Sequence, residues 1–302
     1  MLDLTMIVLN YNSEKDTVNC VESLIKLENS FNIVIVDNCS SDDSFFRLNK
    51  RYEKFSNVNV IKSECNGGYS AGNNYGMKYA IEKYCAKYLG IINPDVIIND
   101  KELIPKLIHY MEIYSDCVVI GGATQDPNGR FDINKAAWNV PTVFELIIDH
   151  LLFIKRKKSL NSSYISEHLM KVDCVAGCFF LTKTDFMTNI KFLDESVFLY
   201  NEENILGIKC KLYGKYEAIY TKGFYIHNHM QKHIEMPLKR KVLATKNAYE
   251  SSKTLIKKYY SIIFVPFLTF AEILNRGYLL LAFFYGKIKD IFSIKDFKLI
   301  KK

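Results

Sequence analysis

The chain of 302 residues is 49% apolar and 24% charged, enough to bury a sizeable core in one large domain or two and too apolar for a disordered segment. The formal net charge of +7 raises the question of nucleic acid, yet the chain has no Arg-rich arm, no zinc-finger spacing and no aromatic signature of an RNA-binding sheet, so no nucleic-acid partner is expected. Eight cysteines lie scattered through apolar runs with no Cys-x-x-Cys; the nearest pair, Cys174 and Cys178, lacks a histidine partner at zinc spacing, and the set reads as reduced core residues.

The chain opens with Met1-Leu2-Asp3 and goes straight into an apolar strand, with no basic segment, signal-type apolar region or small-residue cleavage site, so a cytoplasmic location is the expectation. Short apolar runs then alternate with helix-period segments: Leu4 to Leu9, Ser13 to Leu27, Phe31 to Val36, Asp42 to Tyr52, Val58 to Ile61, Ala71 to Tyr84, Tyr88 to Ile92. Strands this apolar, joined by helical crossovers, predict a parallel sheet between helices, with ligands gathering at the strand carboxyl ends. Asn10-Tyr11-Asn12, Asp37-Asn38, Asn66-Gly67-Gly68 and Asn93-Pro94-Asp95 all fall at such ends and would face one crevice. Turn chemistry is the alternative for each cluster alone.

From Asp116 to Lys171 the pattern loosens around Gly121-Gly122 and the loop Asp126-Pro127-Asn128-Gly129-Arg130, followed by an apolar helix from Val143 to Ile154 that runs into Lys155-Arg156-Lys157-Lys158. Strands are expected at Gly177 to Thr182 and Glu217 to Thr221, flanking a helix from about Glu202 to Tyr213 that Gly214 can cap. After Pro237 a polar helix precedes an apolar stretch from Tyr260 to Tyr285. A spanning helix needs about 20 consecutive apolar residues, and Pro266, Glu272, Asn275 and Arg276 interrupt this one, so an in-plane element at a membrane surface is expected, with a subunit interface in a homo-oligomer or a core helix as alternatives. The excess lysines point the same way: Lys155 to Lys158, Lys239-Arg240-Lys241 and Lys257-Lys258 sit beside apolar stretches, which favours an anionic lipid surface over a duplex, a solvated face being the alternative for each.

Two adjacent acids, Glu202 and Glu203, open the later helix. Adjacent helix residues diverge by about 100°, so only one of them can face a cleft. Both could instead complement the positive helix N-terminus, worth about 0.3 to 1 kcal/mol, although Asn201 can cap that end.

In order along the chain, Ile7-Val8-Leu9-Asn10-Tyr11-Asn12, Ile35-Val36-Asp37-Asn38-Cys39-Ser40-Ser41-Asp42, Asn66-Gly67-Gly68-Tyr69-Ser70-Ala71-Gly72-Asn73-Asn74, Ile92-Asn93-Pro94-Asp95, Ala176-Gly177-Cys178-Phe179-Phe180 and Leu193-Asp194-Glu195-Ser196-Val197-Phe198-Leu199-Tyr200 resemble the motifs of family-2 inverting glycosyltransferases, close to bacterial rhamnosyltransferase-like enzymes of cell-surface polysaccharides. The resemblance covers roughly Leu4 to Tyr249. It implies a GT-A nucleotide-diphospho-sugar transferase fold: an α/β architecture with a mainly parallel central sheet flanked by helices and a C-terminal helical extension. The expected division is a catalytic domain over 1–235, with a nucleotide-binding half of about 1–115 and an acceptor half of about 116–235, followed by the extension at 236–302.

The site residues implied by the resemblance are specific. Asn10, Tyr11, Asn12, Asp37, Asn66, Gly67, Gly68, Asn74 and Asn93 would line the nucleotide, with Asp37 hydrogen-bonding the base. Asp95 matches the last residue of the family's acidic metal motif, often Asp-x-Asp and here Asn93-Pro94-Asp95, and would hold Mg²⁺ or Mn²⁺ together with His227, for which His229 and His233 compete. Glu203 matches the acceptor-activating base, with Glu202 in reserve, while Asp194 and Glu195 match a loop that binds acceptor or is itself oriented there. No Gly-x-Gly-x-x-Gly or Walker lysine is present, which disfavours nicotinamide or ATP.

The implied activity is transfer of a sugar from a UDP- or dTDP-sugar, a nucleotide-diphosphate sugar donor, to a saccharide acceptor, lipid-linked, in capsule, O-antigen or similar synthesis, by a cytoplasmic enzyme peripheral to the inner membrane face. The alternatives are a non-catalytic scaffold of the same fold and a sugar-nucleotide nucleotidyltransferase, although Asn10-Tyr11-Asn12-Ser13 is not the Gly-rich basic loop the latter requires.

Overall fold

The computed structural model describes residues 3–28, 30–125, 129, 132–154, 160–228 and 238–299, with only the backbone described at 238–239 and 286–299. The loop at 126–128 and 130, the basic tetrad at 155–158, His229 and His233 lie outside the described residues. The chain divides into two compact units, Met1–Val140 with Lys158–His233 and Pro141–Lys157 with Ile234–Lys302. The segment Pro141–Lys157, expected in the acceptor half of the first domain, therefore groups with the C-terminal extension.

The first unit begins with the alternation read from the apolar runs: β1 (Leu4–Asn10), α1 (Glu14–Lys26), β2 (Asn32–Asp37), α2 (Ser44–Tyr52), β3 (Val58–Lys62), α3 (Gly68–Tyr84) and β4 (Tyr88–Ile92). β5 (Val96–Ile97), α4 (Leu103–Ile113), β6 (Cys117–Gln125), α5 (Ile133–Ala136) and β7 (Ala137–Trp138) follow. In the second unit α6 covers Val143–Asp149. Returning to the first, β8 (Ser163–Ser166), β9 (Leu169–Val172), β10 (Cys174–Val175), β11 (Phe179–Lys183), α7 (Thr184–Asn189), α8 (Glu202–Leu212) and β12 (Tyr216–His227) complete it. α9 (Leu238–Tyr259) and α10 (Val265–Leu299) belong to the second unit.

The sheet runs β3-β2-β1-β4-β11-β6-β12-β9-β8, with β5 on β12. β1, β2, β3 and β4 run parallel to one another; β11 then runs antiparallel to both β4 and β6, β12 runs parallel to β6, and β9 antiparallel to β12. The sheet is therefore mixed, all parallel over β3-β2-β1-β4 and of both senses beyond. Successive strand residues point to opposite faces and feed two apolar clusters. Met6, Val8, Ile33 and Ile35 pack with Val21, Leu48 and Leu107 of α1, α2 and α4, while Ile7, Val34 and Val36 pack with Met77 and Leu206 of α3 and α8. The chain order reverses between β1 and β4, so their carboxyl ends open a crevice at the switch point.

The second unit answers the expectation of a broken apolar stretch with one continuous helix of 35 residues. Pro266 is tolerated because it stands in the first turn, where a missing N–H breaks no helical bond. Glu272 and Asn275 are buried, at 4% and 0% exposure. Two of the polar residues that interrupt the apolar run, Glu272 and Asn275, thus belong to the interior face of this unit, while Arg276 is exposed. Of the eight cysteines expected in the core, Cys20, Cys117, Cys174, Cys178 and Cys210 are buried, Cys39 is half-buried, and Cys65 and Cys85 are exposed.

Candidate functional site

At the end of β1, Asn10 is fully buried and its amide donates to Asp37 Oδ2 at 2.8 Å and to Ser40 Oγ at 3.1 Å. Asp37 Oδ1 accepts from Ser40 N at 3.0 Å, so both oxygens of this buried carboxylate are engaged. Asp37, expected at the nucleobase, has no exposed surface and ties the ends of β1 and β2 together, and Asn10 does the same from the other side. Tyr11, 47% exposed, and Asn12, whose Oδ1 accepts from Ser41 N at 2.9 Å, are the residues of this end that reach the surface.

Asn66 Oδ1 accepts from Gly68 N and from Asn38 Nδ2, both at 3.0 Å, shaping the turn into α3 through Gly67. Gly68 has φ +87, and a Cβ there would lie 2.1 Å from the carbonyl oxygen of Phe198. Glycine is required at this position because the backbone adopts a conformation that L side chains rarely take and passes directly against a second chain segment. The Phe198 carbonyl also accepts from Tyr69 N at 3.1 Å, so the close approach of Gly67-Gly68 is to the Phe198 loop. Asn74, expected at the nucleotide, is buried, donating to Leu193 O at 2.9 Å and Glu195 Oε1 at 2.8 Å and accepting from Leu193 N at 3.0 Å. It staples the loop that leads to α8, with Glu195, expected at the acceptor, as the staple's partner. Asp194 Oδ1 accepts from Ser196 N and Oγ at 2.9 and 2.5 Å, which holds the same loop in a turn.

The stapled loop ends in two left-handed residues, Tyr200 (φ 75) and Asn201 (φ 66), immediately before α8. In that conformation Asn201 makes no side-chain cap; its Oδ1 accepts from Asn204 Nδ2 at 2.7 Å. The acids of the first turn are Glu202 and Glu203, of which the more open Glu203 complements the positive end of α8. Glu203 Oε1 accepts from Gly177 N at 3.2 Å. A Cβ on Gly177 would lie 2.8 Å from that oxygen and 3.0 Å from Tyr69 Oη, so only glycine lets both side chains close on this backbone. Tyr69 donates to Gly177 O at 2.5 Å. Burial, and then the Glu203 and Glu202 carboxyls, push the Tyr69 phenol well above its usual range, so it remains a donor.

Glu202 is 6% exposed and its Oε1 has no hydrogen-bond partner. Burial, reinforced by Glu203, pushes its carboxyl up to about 8, so it is protonated at neutral pH, the form that is cheapest to bury unpaired. The native chain then holds a proton that the unfolded chain, near 4.5, has already released. Stability is therefore highest below the unfolded value and falls as pH climbs to about 8, by at most roughly 1.4 kcal/mol per pH unit. Glu202→Gln, neutral throughout, is expected to flatten the fall in melting temperature across this window. Parallel curves for the two proteins would contradict a buried, protonated Glu202.

Across Gly177-Cys178 lies the other half of the site. Cys178 O accepts from Asn93 N at 2.8 Å, so the segment that holds Glu203 also holds the Asn93-Pro94-Asp95 turn at the end of β4. β5 pairs with β12 in the register His227↔Val96, and Asn228 N donates to Asp95 O at 2.8 Å. A register shift in β12 between Tyr220 and Phe224 bends that strand into this second pairing. The result sets His227 Nε2 at 3.3 Å from Asp95 Oδ2, each side chain about one quarter exposed at 27% and 26%. Burial lowers the imidazole, but the hydrogen bonds and charges of Asp95 and Cys178 outweigh it and hold His227 up to about 10. Behind it Cys178 Sγ meets Tyr225 Oη at 3.2 Å, which meets Thr124 Oγ1 at 3.1 Å.

The two donors suit a hard divalent cation of the kind the sequence implies, provided the cation displaces the proton that Asp95 holds on His227. One carboxylate oxygen and one imidazole nitrogen converge, both partly open, and Mg²⁺ or Mn²⁺ would take the rest of its shell from phosphate oxygens and water. Among the described residues no group of three or more His, Cys, Asp or Glu side chains gathers, so Asp95 and His227 are the pair that those residues bring together here.

Sequence reasoning did not single out Tyr69, Cys178 or Tyr225 individually, nor Glu217. Glu217 is buried at 1% exposure, accepts from Val175 N at 2.6 Å and from Cys210 Sγ at 3.7 Å, and its carboxyl is pushed well above the usual range by burial. Its place at a strand start carried no signal of burial. For the others the signal was present, since Ala176-Gly177-Cys178 and Tyr69 stand inside motifs already quoted.

Comparison with known proteins bears on the fold and the family. The low-salt glycan biosynthesis hexosyltransferase of Haloferax volcanii is 29% identical over 204 residues, which is 67% of this chain and 59% of that protein. Among solved structures, a TarS fragment of Staphylococcus aureus in complex with UDP superposes with a TM-score of 0.53 at 19% identity, covering 76% of this chain and 60% of that one. A Pyrobaculum calidifontis mannosyltransferase in complex with GDP-Man and Mn²⁺ gives 0.57 at 11% identity, covering 93% and 70%. These likenesses show the GT-A fold, while the chain spans about three-fifths of the length of the first two relatives. With the switch-point crevice and the Gly177-Cys178 bridge in view, the match to Glycosyl transferase family 2 over residues 5–181 covers more than half of the chain, and the protein belongs to that family.

Proposed function

We propose that this protein is an inverting glycosyltransferase that moves a sugar from a UDP- or dTDP-sugar to a saccharide acceptor, lipid-linked, at the cytoplasmic face of the membrane, in polysaccharide synthesis. One observation carries the reading: Gly177 N binds Glu203 while the next residue, Cys178, binds Asn93, so a candidate base and the Asp95 turn are held on one short segment. The relatives support it, being a hexosyltransferase, a protein in complex with UDP, and a mannosyltransferase in complex with GDP-Man and Mn²⁺.

Tyr11 offers an exposed ring to the nucleobase, with Asn12, Asn66 and Asn93 around the rest of the nucleotide. Asp95 and His227 would hold Mg²⁺ or Mn²⁺, which when bound neutralises charge on the diphosphate leaving group. Glu203, more open than Glu202, takes the proton from the acceptor hydroxyl as its oxygen bonds the anomeric carbon. The bond from that carbon to the diphosphate breaks on the opposite face, configuration inverts, and nucleoside diphosphate leaves with the bonding pair. No covalent enzyme intermediate is required. Tyr69 positions the base by gripping Gly177 O.

Calorimetric titration with UDP, dTDP, GDP and NADH, each with and without Mn²⁺, tests the reading. Metal-dependent binding of one pyrimidine diphosphate is expected. No nucleotide binding under any condition would leave a scaffold, and binding of NADH alone would point to a different class of enzyme.

A further inference from the structure

The second unit turns the usual amphipathic helix inside out. Along α10 the buried stripe is Leu268, Ala271, Glu272, Asn275 and Leu279, which includes two polar residues of its apolar segment. Glu272 Oε2 meets His150 Nε2 at 2.6 Å, its Oε1 accepts from Arg276 Nε at 2.7 Å, and Asn275 Oδ1 accepts from Leu152 N at 3.2 Å. These bonds fasten the end of α6 to the polar side of α10. The opposite side presents Ile263, Phe267, Phe270, Ile273, Leu281 and Phe284, each at 59% exposure or more. Phe144, Leu152 and Phe153, of α6 and the turn after it, are exposed as well. Among the described side chains of α10, Arg276 alone puts a charge at the surface, and Glu272 holds it.

We infer that this face is buried in the hydrocarbon of one leaflet of an anionic bilayer, with α10 lying in the membrane plane. The inference deepens the peripheral membrane contact of the proposed function and rests on that reading. An apolar patch of this size on a water-soluble surface requires a cover. The flanking charge selects lipid: exposed Lys257 and Lys258 end α9 just before the apolar run, and in sequence Lys287 and Lys289 follow it while Lys155 to Lys158 follow α6. A second copy of the chain would bring like charges together at these flanks, whereas anionic headgroups complement them.

The apolar segment, Ile262–Tyr285, has 24 residues and a mean hydropathy of 1.4, long and apolar enough to cross a bilayer. The neighbouring helix decides against crossing. α9 packs along α10, with Tyr249 Oη and Thr269 Oγ1 2.9 Å apart, and exposes Lys246, Glu250, Lys257 and Lys258. A spanning α10 would carry these charges into hydrocarbon, while an in-plane α10 leaves them at the headgroups.

The test is flotation of the full chain with phosphatidylcholine vesicles containing phosphatidylglycerol, at low and high salt. Wild type is expected to float under both conditions, because inserted apolar area is insensitive to salt screening. A triple variant, Phe267→Ser with Phe270→Ser and Ile273→Ser, should lower partitioning at least about tenfold, given the apolar area removed. These side chains point outward, and retained UDP binding reports that the first unit is intact. A single variant, Phe270→Trp, should show emission quenched by brominated lipid beyond that of the native Trp138. Equal partitioning of wild type and triple variant, release at high salt, or no extra quenching would overturn the inference. So would a wild-type dimer that ignores vesicles and is split by the triple variant, since a second copy would then cover the face. Nucleotide binding without vesicle binding defeats this inference alone, and vesicle binding without nucleotide binding defeats the transferase reading alone.

Discussion

Glu203→Gln is expected to lower turnover by about 10²- to 10⁴-fold, the contribution of a positioned general base, with donor affinity nearly unchanged. Glutamine keeps the length and an oxygen for the Gly177 N–H, so the 3.2 Å contact that positions the side chain can persist. What it lacks is a lone pair basic enough to take the acceptor proton. Glu202→Gln supplies the contrast. Glu202 is already protonated at neutral pH and almost wholly buried, so its amide should change the pH dependence of stability far more than turnover. Single-turnover measurements of both variants with saturating donor separate the two acids. Near-wild-type turnover in Glu203→Gln would remove it as the base.

Asp95→Ala is expected to abolish the Mn²⁺-dependent part of nucleotide binding, weakening it by at least about 100-fold at saturating metal, since a cation site of two protein donors loses its only carboxylate. The loss falls on donor affinity, the reverse of the Glu203 pattern. The fold should survive, because the backbone of Asp95 and not its side chain accepts from Asn228 N in the β5–β12 pairing. Calorimetry with UDP or dTDP in the presence and absence of Mn²⁺ measures the effect. Equal, metal-independent binding by wild type and variant would show that the diphosphate is neutralised by other groups.

The parallel half of the sheet was legible because its signal is local. Apolar runs such as Met6 to Val8 and Ile33 to Val36 must be buried on both faces, and that requires helices on both sides. Strand ends then follow, and with them the crevice. Side-chain roles at those ends were less legible, because a polar residue at a strand end can face the ligand or face its neighbours. Asp37 and Asn74 sit in the family's motifs, yet their oxygens and amides are consumed by Asn10, Ser40, Leu193 and Glu195. Such pairings link residues far apart in sequence, and no periodicity records them.

The same limit applied to α10. Composition showed an apolar run with polar breaks, whereas the direction in which Glu272 and Asn275 point depends on where His150 and the backbone of Leu152 stand. By itself, then, the sequence determined the βαβ alternation, the order of the motifs, the acidic pair at the head of α8 and the helical extension, because each depends on residues close together in the chain. The tertiary structure alone decided that Glu202 is buried while Glu203 meets Gly177, that His227 reaches Asp95 through the β5–β12 pairing, and that α10 turns its polar residues inward. Burial and hydrogen-bond partnership are properties of surfaces brought together from distant segments, and they take their values only once the chain has packed.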